Sequence, residues 1–328
     1  MRTMGHRLLG ALTLLTATVA ASAQEVWFAP PDNLDRGERS YNHDFLGLFD
    51  ASPAWSAKTD VFVLSPKFTA QATEAQAKQV ADFLTSHQIA LALSTGTVQM
   101  DSAEPVPGEC GFGIEGYTRP VKNQIIFARE KRFGLAPKYI AMDEPLSFGH
   151  HFRGGPKSPS KPCQFSIEDT ARRVAASIAE IRKAYPDAKI VDYEAAATTL
   201  PAAQWLPDFQ EWLTAYKKAG GELPDAVVFD VDWKKPWLDA VRPATELLHR
   251  SGVRAGIFLD GTGPNPTDAD AIATYKQNMA AVVAAKLPLD IVVIANWTPH
   301  PANDLPESDS NSLTAILHYW QTTYEKSK

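Results

Sequence analysis

Eight short apolar runs, each followed by an amphipathic stretch, pace this 328-residue sequence from Val26 to Ala295. The runs are Val26–Ala29, Val61–Leu64, Ile89–Leu93, Tyr139–Met142, Ile190–Tyr193, Ala226–Phe229, Ala255–Leu259 and Ile291–Ala295. They are continuously apolar rather than alternating, as strands buried on both faces of a helix-covered parallel sheet are. The intervening stretches have helical spacing. Val174, Ile178, Ile181 and Tyr185 fall on one face, and Ser166 with Asp169 predicts a capping box ahead of them. Trp205, Phe209, Trp212 and Tyr216 form a second such stripe, and Trp237, Val241, Ala244 and Leu248 a third. Ile272, Tyr275 and Met279, then Leu313, Ile316 and Trp320, continue the pattern. Pro186 and Gly220-Gly221 are expected to stop two of these helices.

Eight strand–helix units predict an α/β fold, a closed (β/α)8 TIM barrel. The competing open, doubly wound sheet usually carries a glycine-rich turn after its first strand. Here that strand leads into Pro30-Pro31-Asp32 instead. With no linker and no internal repeat, residues 24–328 read as a single barrel domain, ending in a frayed tail at Glu325–Lys328. Residues 1–23 read as a secretory signal: Arg2 and Arg7, an apolar run Leu8–Ala21, then a small-x-small site at Ala21-Ser22-Ala23. The expected location is therefore periplasmic or secreted, with no membrane span once the signal is cleaved. In an oxidising compartment Cys110 and Cys163, the only two cysteines, can pair.

Charge narrows the partners. The chain carries a net charge of -6, and removing the two signal arginines makes it more acidic still. Such a chain is a poor ligand for a polyanion, so no nucleic acid is expected. Only the N-terminus is continuously apolar for long, which excludes a multi-span membrane protein.

In a (β/α)8 barrel the residues just past each strand surround one mouth. Here they are acidic and aromatic: Asp32 after strand one, Asp143-Glu144 after strand four, Tyr193-Glu194 after five, Asp230, Asp232 and Trp233 after six, Asp260 after seven, Asn296-Trp297 after eight. Carboxyls sharing a pocket push their pKa values apart, so one stays protonated while another is ionised. Cleavage of a glycosidic bond needs that combination, a proton donor and a base or nucleophile. Flat Trp and Tyr faces suit sugar rings. A salt bridge or helix cap remains the ordinary job of any single one of these acids.

The step Asp143-Glu144-Pro145 resembles the Asn-Glu-Pro that ends strand four in the large clan of retaining (β/α)8 glycoside hydrolases, where the Glu is the acid/base. Trp297 is similar to that clan's Trp past strand eight, which lines a sugar subsite. The resemblance implies Glu144 as acid/base and Trp297 as a platform. Two positions depart from it: Asp143 stands where the clan has Asn, and strand seven ends Leu259-Asp260-Gly261 without the nucleophilic Glu. Asp260, Asp230, Asp232 or Glu194 is left to partner Glu144, or the barrel binds sugar without cutting it.

Two long connections, Thr95–Lys138 and Glu144–Lys189, follow strands three and four. A Cys110–Cys163 bridge would tie both over the mouth, with Glu115, Tyr117, His150 and His151 hanging near Glu144 as substrate contacts, or with Glu115 and Tyr117 merely bracing the lid. Neighbouring histidines on a loop point apart and rarely chelate one ion, and no His-Glu-x-x-His occurs, so neither a metal nor another cofactor is expected. A carboxylate ring holding Mg2+, Mn2+ or Ca2+ in an isomerase or phosphodiesterase is the alternative. The leading expectation is an exported glycoside hydrolase-like barrel with a carbohydrate substrate; a non-catalytic carbohydrate-binding barrel is the second.

Overall fold

A computed structural model describes residues 24–34, 44–50, 54–104, 106, 108–154, 161–263 and 265–324. The predicted signal and the frayed tail lie outside the described residues. Eight strands form the barrel: β1 Glu25–Ala29, β2 Val61–Leu64, β3 Ala90–Thr95, β4 Tyr139–Asp143, β5 Lys189–Ala196, β6 Ala226–Val231, β7 Arg254–Leu259 and β8 Ile291–Ala295. Every neighbouring pair is parallel, and β1 closes the ring on β8, with Trp27 opposite Val293 and Ala29 opposite Ala295. The eight apolar runs are the eight strands. β5 and β6 continue past their runs through polar residues, because neighbouring strands go on pairing to Ala196 and Val231.

Eight helices cover the ring: α1 Pro66–Gln71, α2 Glu74–Ser86, α3 Pro120–Arg132, α4 Ile167–Ala184, α5 Ala202–Gly220, α6 Leu238–Arg250, α7 Asp268–Ala285 and α8 Leu313–Thr323. The stripes predicted for α4 to α8 fall at these helices, with Trp237 standing just ahead of α6, and Trp205, Phe209 and Trp212 of α5 are fully buried. Ser166 caps α4 by accepting the Asp169 N–H at 3.1 Å. The other half of the expected capping box is replaced: the Asp169 carboxylate engages Arg172 and Arg173 instead. Gly221, at φ 86°, ends α5 in the left-handed conformation that glycine adopts without strain.

Strand parity sorts the core. Trp27, Val61, Val63, Ala92, Tyr139, Ala141, Val191, Tyr193, Val228, Phe258, Ile291 and Val293 fill the barrel interior, while their chain neighbours face the helices. At the N-terminal end Arg254 pairs with Glu25 at 3.0 Å, and Glu25 also accepts from the Trp27 indole at 2.9 Å. These polar groups lie at the N-terminal end of the barrel, opposite the end where the acidic strand termini gather. No helix among the described residues is long and apolar enough to cross a membrane.

The two long connections are joined by the expected bridge. Cys110 and Cys163 form a disulfide across 53 positions, and Gly111 N–H donates to the Lys161 carbonyl beside it at 2.7 Å. The β3–β4 connection is pinned at Thr97 and Val98, whose N–H groups share the Gly116 carbonyl at 2.9 Å. A Cβ at Gly116 would lie 2.7 Å from the Asp143 carbonyl oxygen, so only glycine lets this loop pass so close over the end of β4.

Candidate active site

Parity decides which strand-end residues reach the mouth. Following Tyr139 and Ala141 inward along β4 brings Asp143 to the top of the barrel, and Val228 on β6 leads likewise to Asp230. Phe258 leads to Asp260, and Val293 and Ala295 lead to Trp297, whose ring lies 5.4 Å from that of Phe258. Four predicted side chains thus converge from four strands.

Glu144 joins them from just beyond β4. Its backbone sits at φ 45°, a left-handed conformation unfavourable for a residue with a Cβ. Two bonds hold it there: its N–H donates to the Tyr193 carbonyl and its carbonyl accepts from Phe148 N–H, both at 2.9 Å. The Glu144 carboxyl lies close to that of Asp230. Burial, then the charges of Asp230, Asp143 and Glu115, push Glu144 up to about 9. Asp230 is pushed up to about 7 by burial and by Asp260, the nearby Glu144 carboxyl opposing the shift. Within the pair these causes favour protonation of Glu144 over Asp230. Burial and Glu115 lift Asp143 to about 7, against a bond from Gly116 N–H and the positive charge of Lys67.

Asp260 has a different task. Its Oδ1 accepts from the Trp233 indole at 2.9 Å and from Thr262 N–H at 3.2 Å, and Trp297 lies close to this carboxyl. It anchors the Trp233 platform. Trp297 remains 50% exposed, and Trp233 packs edge-on to Trp237 at 5.2 Å. Tyr193 lies inside the barrel against Phe258, its buried hydroxyl without a partner among the described residues.

Other expected site residues are employed elsewhere. Glu194 has the outward parity: its carboxyl accepts the N–H groups of Leu146 and Ser147, both at 2.9 Å, and braces the turn that carries Glu144. Asp232 accepts from Lys234 N–H at 3.1 Å and faces Lys235 at 3.5 Å. Asp32 holds the end of β2 through the Ser65 hydroxyl at 2.7 Å. Asn296 faces outward and secures Pro301 and Thr298. Tyr117 is a brace, donating to the Phe148 carbonyl at 3.0 Å, whereas the exposed Glu115 adds its charge to the acids of the mouth. His150 and His151 turn toward the Phe165 carbonyl and Asp208 of α5 rather than toward Glu144. Lys67, in the first turn of α1, was not foreseen: its charge acts on both Asp32 and Asp143, and its sequence neighbourhood carries no motif.

No family model and no curated protein matches the sequence. Solved structures do match in shape. The catalytic domain of a beta-amylase from Paenibacillus polymyxa superposes with a TM-score of 0.51 at 9% identity, covering 94% of this chain and 100% of its own. A GH10 endoxylanase from sugarcane soil metagenome gives 0.50 at 12% identity, covering 84% and 85%. These likenesses establish the (β/α)8 fold.

Proposed function

We propose that this barrel is a glycoside hydrolase acting on a poly- or oligosaccharide, with Glu144 as the proton donor to the leaving oxygen. The observation that carries the reading is Glu144, pushed up by burial and by the neighbouring carboxyls Asp230 and Asp143, at a barrel mouth that also presents the half-exposed Trp297. A carboxyl held neutral well above its ordinary range is what general acid catalysis at neutral pH requires. Hydrolysis also needs a second carboxyl that attacks or activates water on the opposite face of the sugar, about 5–9.5 Å from the acid. Asp230, Asp143, Asp260 and Glu115 are the carboxyls of the mouth from which that partner is drawn. The disulfide supports export through the predicted signal to an oxidising compartment, periplasmic or extracellular.

One observation favours the second reading, a barrel that binds carbohydrate without cutting it. The strand-seven acid, Asp260, is committed to the Trp233 indole and the Thr262 N–H. A screen of soluble polysaccharides for new reducing ends separates the two. Release by the native protein and none by Glu144→Gln supports hydrolysis. Equal sugar binding by both proteins with no release supports the binding barrel.

A further inference from the structure

We propose that His150, His151 and Asp208 form a binding site for a divalent first-row transition metal of the Zn2+ type, independent of the barrel mouth. Sequence reasoning expects adjacent histidines to diverge. Here the chain forms a π-helical turn, Ser147–His151, directly after the segment that carries Glu144. The two imidazoles lie on the same side of that turn, ring centroids 5.1 Å apart. Asp208, in the second turn of α5, meets them, and one ligand atom from each residue lies within 4.8 Å of the others.

The finer geometry suits an ion. His151 Nε2 and Asp208 Oδ2 are 3.0 Å apart, near the edge of about 3.3 Å expected between donors on a tetrahedral Zn2+ with bonds of about 2.0–2.1 Å. His150 completes the set with its ligand nitrogen within 4.8 Å of the other two donors, and must turn to close on an ion. Its Nδ1–H donates to the Phe165 carbonyl at 2.6 Å, which leaves Nε2 as the coordinating nitrogen. A metal-bound histidine is typically held this way by a backbone acceptor behind it. Arg153 donates to the His150 carbonyl and so grips the turn from its backbone side.

The donor set selects the ion class. Two imidazoles and one carboxylate suit Zn2+, Co2+ or Ni2+, whereas Mg2+ and Ca2+ prefer oxygen alone. A fourth position stays open to water. Because the ligands come from the β4–α4 connection and from α5, a bound ion clamps the turn after Glu144 onto the helix layer. Its role is to hold structure.

The test uses the full exported chain, stripped with EDTA and titrated with Zn2+ alone and with Co2+ alone. The expected result is one equivalent bound, tetrahedral Co2+ absorption bands, and a higher thermal midpoint with Zn2+ but not with Mg2+. His150→Ala and Asp208→Asn, both at partly exposed positions, should weaken Zn2+ binding by more than about tenfold. Far-UV circular dichroism of each variant confirms that it is folded. Glu144→Gln with Asp230→Asn should leave Zn2+ binding intact, which separates this site from the mouth. No stoichiometric binding, or binding unchanged in both His150→Ala and Asp208→Asn, would overturn the proposal and leave His151–Asp208 as a hydrogen-bonded pair.

Discussion

The Glu144 and Asp230 carboxyls, carried by the ends of two strands with a third between them, lie close together, and the charge of Asp230 helps push Glu144 up. Glu144→Gln keeps the side chain's shape beside Asp230 but removes the transferable proton. Turnover of a cleaved polysaccharide should fall by about 10²–10⁴-fold, the usual contribution of general acid catalysis. Sugar affinity, read by calorimetry, should stay close to that of the native protein.

Asp230→Asn tests the pair from its other side. The Asp230 charge is one cause of the raised Glu144 value, second to burial. Without it Glu144 loses its proton at lower pH. The alkaline limb of the kcat/KM profile should therefore move toward neutrality. An unchanged limb would mean that the limb belongs to another group, the macroscopic values of such a cluster being shared among its members.

Stability should run against pH in an unusual direction. Glu144, Asp143 and Asp230 all have folded-state values above their unfolded ones. Between about pH 4 and about pH 9 the native state then holds more protons than the unfolded chain, so this cluster's contribution is fully present at the acid end and fades as pH rises. The thermal midpoint should decline from pH 6 to pH 9. The double variant Glu144→Gln, Asp230→Asn should flatten that decline.

How much of this was legible in the sequence follows from what each residue faces. The fold was readable because strands buried on both sides leave eight unbroken apolar runs, and the helical stripes between them fill the outer layer. That same continuity hid strand parity. Tyr193 and Glu194 read alike as strand-end residues, yet one faces the barrel and the other the helices. Asp143, Asp230, Asp260 and Trp297 reached the mouth because their parity continues the interior positions below them. Asp232, two residues beyond Asp230, left the strand and turned to its local lysines. His150 and His151 depended on a π-helical turn that no spacing rule announces. The Cys110–Cys163 pairing was open to inference because no other cysteine competes.

Trp297→Ala should weaken sugar binding by about tenfold or more if this indole is a platform. It is half exposed, so its removal should change stability by no more than about 0.5 kcal/mol. Asp260→Asn should disturb the Trp233 indole it anchors, visible as a changed tryptophan emission and a loss of affinity without a matching change in kcat.

Glu194→Ala separates a brace from a catalytic group. The substitution strands two buried N–H groups, Leu146 and Ser147, each costing about 1–3 kcal/mol when unsatisfied. Chemical denaturation should show that loss in full. Glu194→Gln keeps one acceptor oxygen and should recover part of the stability together with most of the activity. A catalytic Glu194 would instead lose activity in both variants while the glutamine protein stayed stable. Because the stranded groups lie immediately after Glu144, the alanine variant should also lose the left-handed conformation at that residue, and with it the reach of the proton donor into the mouth.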